Sequence, residues 1–106
     1  MNPAQQALAR SMTERELQAA VESCLRLNGW LFFHAWNSQH SAAGFPDICA
    51  TSGGRLLFVE LKSEAGKLTK AQELWQSKLQ VVPGDVETYI WRPSDWLSGT
   101  IQEVLR

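Results

Sequence analysis

Leu17, Val21, Cys24 and Leu25 recur at intervals of three and four, the period of a helix with one buried face. Thr13 stands before this run as an N-cap, with Glu16 three residues on, and Asn28-Gly29 closes it, so a helix is predicted between them. The period then changes. Trp30-Leu31-Phe32-Phe33-His34 reads as an aromatic strand, Asn37 to Gly44 as a polar loop, and Phe45 to Thr51 as a second strand with Pro46 at its start. Ser52-Gly53-Gly54 makes a hairpin turn into Arg55–Lys62, which is apolar on both faces and therefore belongs inside the sheet. Helical spacing returns from Thr69 to about Val82 and is ended by Pro83-Gly84-Asp85. Val86 to Trp91 is a further strand, and Ser94 caps a last helix reaching about Leu105. The order is α-β-β-β-α-β-α, an α/β fold with a central sheet flanked by helices. Residues 1–11 carry no apolar period and are expected to be a flexible leader to a single domain at 12–106.

Alternation along the third strand puts Leu56, Phe58, Glu60 and Lys62 on one face and Leu57, Val59 and Leu61 on the other. A strand built only for packing would not end its buried face on two charges. Asp47 lies on the neighbouring strand of the hairpin, so its carboxylate is expected close to Glu60. Two converging carboxylates repel each other, and a divalent cation that prefers oxygen ligands, Mg²⁺ or Mn²⁺, relieves that repulsion. A lysine beside such an ion can orient water or stabilise charge at phosphorus, which is the equipment for phosphodiester hydrolysis.

Composition changes this picture in three places. The formal net charge of −1 means that any grip on nucleic acid comes from a local patch, metal ions or a paired subunit. Cys24 and Cys49 sit far apart in apolar runs and read as buried, reduced thiols, which with the missing membrane span and secretory signal suggests the cytoplasm. Lys67 and Lys70 precede and begin the second long helix, where they either meet phosphates or form a solvated face. Asn37, Ser38, His40 and Ser41, in the loop leading to Asp47, are candidate contacts to a DNA backbone.

Pro46-Asp47, followed by Glu60-Leu61-Lys62, resembles the PD-(D/E)XK motif of restriction-endonuclease-like nucleases. The wider pattern resembles the VRR-NUC branch, common as small phage and bacterial proteins. It is carried by Thr13–Gln18, His34–Ser38, Gly44–Asp47, Glu60–Lys62, Gly66–Gln72 and Trp75. The resemblance implies an αβββαβ core and metal-dependent DNA cleavage that leaves a 5′-phosphate. It implies that Asp47 and Glu60 hold the metal, that the Leu61 carbonyl adds a ligand and that Lys62 serves the attacking water. A glutamate of the first helix usually completes such a site. Glu14 borders the buried face, whereas Glu16 is placed for a capping box with Thr13, although Ser11 and Glu14 are spaced for one too. Gln72 is open between a role in the site and a capping box with Thr69. The expected activity is that of a structure-selective endonuclease, resembling a Holliday-junction resolvase and working as a homodimer. The alternatives are a nicking or flap nuclease acting with replication or repair proteins, and a catalytically silent DNA-binding module. The dimer interface is expected around Trp96 and Ile101, with a basic strip of Arg55, Lys62, Lys67 and Lys70 on each copy.

Overall fold

Four strands form one sheet in the order β1 (Leu31–His34), β2 (Ile48–Ser52), β3 (Arg55–Leu61) and β4 (Val86–Trp91). The structure, a computed structural model, describes residues 1–35 and 42–106. The expected backbone contacts Asn37, Ser38, His40 and Ser41 fall outside those residues. Strands β1, β2 and β3 pair antiparallel, and β3 pairs parallel with β4, so the sheet is mixed. β3 lies between two partners, as its two-sided apolar pattern requires. The restriction-endonuclease-like architecture expected from the sequence is the one found.

One face of the sheet presents Ile48, Ala50, Leu57, Val59, Leu61 and Trp91. α2 (Glu14–Leu27) packs on it through Leu17, Val21, Cys24 and Leu25, and α5 (Thr100–Leu105) adds Ile101 and Leu105. α2 begins where the sequence predicts: Thr13 Oγ1 accepts from the Glu16 N–H, and the Glu16 carboxylate accepts from the Thr13 N–H. α3 (Lys70–Gln80) lies by β4 on the opposite side of the sheet and is tied to it where Thr88 Oγ1 donates to Gln76 Oε1 at 2.7 Å.

The segment expected to be loose forms a helix, α1 (Pro3–Ser11), resting on α4 (Pro93–Leu97). Asn2 caps it reciprocally with Gln5, Pro3 occupies the first turn, and Ala9 is fully buried. The sequence hides this helix because its buried contact is one alanine, while Leu8 points to solvent. The last helix is also not continuous. Gly99 adopts φ +83° and breaks it into α4 and α5, and Pro93, not Ser94, opens the first piece.

Two further expectations need correction. Ile101 is 0% exposed, so it packs inside the monomer and offers nothing to an interface. Arg55 does not extend a basic strip from Lys62, because it stands at the far end of β3, ~20 Å away along the strand. Its guanidinium makes a two-pronged pair with Glu87 (2.8 Å each), donates to the Val104 carbonyl and lies over the Trp30 ring. Its work is to join β3, β4 and α5.

Candidate active site

Ile48 pairs with Val59, and one residue further along the hairpin Asp47 meets Glu60. The chain turns to supply Asp47 from a fixed platform. Its carbonyl accepts from the Ala35 N–H at 2.8 Å, and its Oδ2 accepts from the Leu61 N–H at 2.7 Å. Glu60 is 2% exposed at the end of a strand whose next residue, Lys62, is half-buried. Lys62 is held through its backbone, which donates to the Trp91 carbonyl at 3.0 Å.

Burial pushes the Glu60 carboxyl up to about 8, because desolvation penalises its charge. A hydrogen bond to Asp47 and the Asp47 charge push it further, the more distant Glu14 adds to this, and the Lys62 ammonium opposes it. The raised value favours the protonated form of the Glu60 carboxyl at neutral pH. Two acidic side chains facing each other in this way could hold a divalent cation between them.

Gln72 makes both of the contacts that its spacing left open. Its Oε1 accepts from the Thr69 N–H at 2.8 Å and completes the cap of α3, while its Nε2 donates to Glu60 Oε1 at 3.0 Å. The helix terminus thereby carries a donor straight to the buried carboxyl. Glu16 is used up by the Thr13 cap, and Glu14, exposed on the first turn of α2, faces the same cavity as Asp47, Glu60 and Lys62. Among the described residues no three His, Cys, Asp or Glu side chains converge closely enough to hold one ion together, so Glu14 borders the pair without completing it. The Leu61 side chain belongs to the core, and only its backbone reaches the site.

The loop before Asp47 is pinned to α3. Gly44 has φ +80°, and a Cβ there would stand 2.3 Å from the Ala71 carbonyl carbon and 2.6 Å from the Gln72 nitrogen. Trp75 donates its indole N–H to the Ala43 carbonyl at 3.1 Å, and its ring meets Phe45 edge-on at 4.9 Å. Trp75 is thus a staple holding the Asp47 loop beside the helix that carries Gln72.

These residues open into a cavity of about 1130 Å³ that runs along α2 past Glu14, Arg15, Gln18, Glu22 and Arg26 to His34 on β1. Lys67 and Lys70 are exposed near the start of α3 but do not line it. Nothing in the sequence alone marks this wall as part of a site. Its signal was the spacing of Glu14, Gln18, Glu22 and Arg26 at every fourth position, which an ordinary solvated helix face displays equally well. Glu22 accepts from Gln18 at 2.7 Å and from Arg26 at 3.3 Å, and Gln18 Nε2 lies 3.3 Å from His34 Nδ1, so the wall is bridged to β1.

Residues 4–89 of the chain match the VRR-NUC domain. No curated protein and no solved structure matches it.

Proposed function

The chain belongs to the VRR-NUC family and so has a nuclease-type DNA-processing function; from that premise we propose that it is a divalent-metal-dependent DNA endonuclease. The observation that carries this reading is the Glu60 carboxyl, buried in the fold, facing Asp47 and bonded by Gln72. Burying an acid against a second one costs stability, and a fold keeps such a pair when something other than packing uses it.

The donor set is all oxygen and suits Mg²⁺ or Mn²⁺. Asp47 and Glu60 would hold the ion, with the Leu61 carbonyl and Glu14 at its margin. When bound, such an ion supplies Lewis acidity toward a phosphate oxygen and makes water a better nucleophile. The chain's own residues do the rest. Lys62 lines the cavity together with Asp47 and Glu60, where its ammonium would balance charge building on the phosphate and orient water. Gln72 keeps Glu60 in one rotamer by its 3.0 Å bond. The cavity along α2 is large enough for more than one nucleotide, and its Arg15 and Arg26 can meet phosphates beyond the one attacked. Lys67 and Lys70, outside the cavity, can reach only phosphates further along the duplex.

Four-way junctions are the proposed substrate, cut by a homodimer. A two-fold pair supplies symmetric cuts and doubles the contact that a chain of net charge −1 can offer. The surface favoured for pairing is β1, at the edge of the sheet, where Leu31 and Phe33 are 75% and 65% exposed on one face. Cys24 and Cys49 are free, and burial pushes both thiols up, so neither is primed for oxidation and a cytoplasmic setting suits the chain. No described helix is long and apolar enough to cross a membrane.

The test is cleavage of end-labelled four-way junctions, flaps, nicked and plain duplex and single strands, with Mg²⁺, with Mn²⁺ and with chelator. Paired symmetric cuts in junctions, abolished by chelator, are expected. Cutting of flaps alone would move the function to the flap nuclease, and binding without cutting of any substrate would make the chain a silent module.

A further inference from the structure

Arg92 follows β4 directly, at the N-cap of α4, and its guanidinium reaches back to the segment that leaves Lys62. A single nitrogen, Nη1, donates to three main-chain carbonyls there: Ser63 at 2.7 Å, Gly66 at 2.6 Å and, at a longer 3.3 Å, Glu64. That nitrogen carries two hydrogens, so the two short bonds take one each and the third is shared. The segment also answers back. The Glu64 carboxylate accepts from the Ser94 N–H at 3.0 Å, and the Gly66 N–H donates to the Ser63 carbonyl at 3.2 Å.

This segment, 62–69, has no helix or strand of its own, yet it joins two parts of the site. Lys62 stands at one end, and Thr69, which caps the helix carrying Gln72, stands at the other. Without Arg92 the Ser63 carbonyl would keep only the Gly66 N–H, and the Glu64 and Gly66 carbonyls would have no hydrogen-bond partner among the described residues. Bonds from a charged donor are the strong ones, and three acceptors converging on one nitrogen fix a loop's path more than its mere presence. Among the described residues, the hydrogen bonds of the Arg92 guanidinium all go to backbone.

Resting on the nuclease reading above, we propose that Arg92 is a positioning residue: it holds the main chain of 63–66 so that Lys62 and Gln72 keep their places against Asp47 and Glu60. A purely structural anchor would lower stability and leave the cleavage rate of each folded molecule unchanged. A positioning residue lowers the rate of the folded enzyme without weakening its hold on DNA.

The comparison is between Arg92→Met, which keeps the stem and removes the donors, and Arg92→Lys, which places one ammonium with three donors near the same carbonyls. Three quantities are read: single-turnover cleavage with Mn²⁺, DNA affinity with Ca²⁺, and hydrogen exchange of peptides covering 62–69. Arg92→Met is expected to lose on the order of 10–100-fold in rate, the scale of misplacing a catalytic group by an ångström. Its DNA affinity should stay near wild type and its exchange should quicken within 62–69, while Arg92→Lys recovers most of the rate. Full activity in Arg92→Met overturns the proposal, and so does a loss that Arg92→Lys shares in full. If Arg92→Met does not fold, Arg92→Gln takes its place, with the same expectations. If the wild type cuts none of the substrates offered, the nuclease reading fails, and the exchange comparison still decides whether Arg92 fixes this segment.

Discussion

Glu60 concentrates the conflict between stability and function in one side chain. Its carboxyl ionises near the usual 4.5 when the chain is unfolded but only at about 8 when buried beside Asp47. A raised carboxyl favours the folded state most fully at low pH, and that contribution disappears as pH climbs from the unfolded value through the folded one. The metal-free protein should therefore lose melting temperature between about pH 4.5 and 8 relative to Glu60→Gln, which has no proton to lose, with no further loss above 8. Thermal melts of both proteins in chelator across this range check it, and parallel profiles would contradict the assigned burial. At Lys62 the expectation concerns rate. Lys62→Ala should lower single-turnover cleavage on the order of 10²-fold or more while folding and DNA affinity persist, and an active variant would remove Lys62 from the chemistry. Asp47, Glu60 and Lys62 were legible in the sequence because alternation fixes the face of a strand residue and a two-glycine turn fixes its neighbour. Arg92 was not, because its partners are backbone carbonyls 26 to 29 residues away that no local pattern records.

At the scale of elements, the site depends on a close approach between the loop entering β2 and the first turn of α3. Gly44 permits it, having a left-handed backbone and no room for a Cβ against Ala71 and Gln72. Gly44→Ala should cost about 2 kcal/mol or more in denaturant melts, through backbone strain and the displaced helix terminus. Cleavage should fall further than the folded fraction does, because moving α3 also withdraws Gln72 from Glu60. A Gly44→Ala protein of wild-type stability would show that α3 yields easily and does not register the site. The long elements were readable because α2 and the β2–β3 hairpin repeat one period over many residues. α1 was not, as its cap, its proline and one buried alanine make a helix without an apolar stripe. The break at Gly99 was also missed, since Ile101 and Leu105 keep helical spacing on both readings.

At the scale of the whole molecule, acids and bases nearly cancel, yet they are not evenly spread. Glu14, Glu22, Asp47 and Glu60 share the cavity with Arg15, Arg26 and Lys62, so on the proposed reading a bound divalent metal would turn this wall attractive to phosphate. The pairing surface proposed at β1 has its own test. Light scattering at micromolar concentration should report about twice the 11.9 kDa chain mass. Phe33→Glu, which places a charge on the exposed sheet edge, should halve it, whereas a wild type that is monomeric throughout would transfer the function to flap or nick cleavage. Metal-dependent cleavage requires Asp47 and Glu60 to form a cation site, and diffraction from crystals soaked in Mn²⁺ tests that most directly. The anomalous signal should place an ion between these two carboxylates, with oxygen distances of about 2.1 Å. Manganese bound only at histidine or cysteine, with this carboxylate pair left empty, would contradict it.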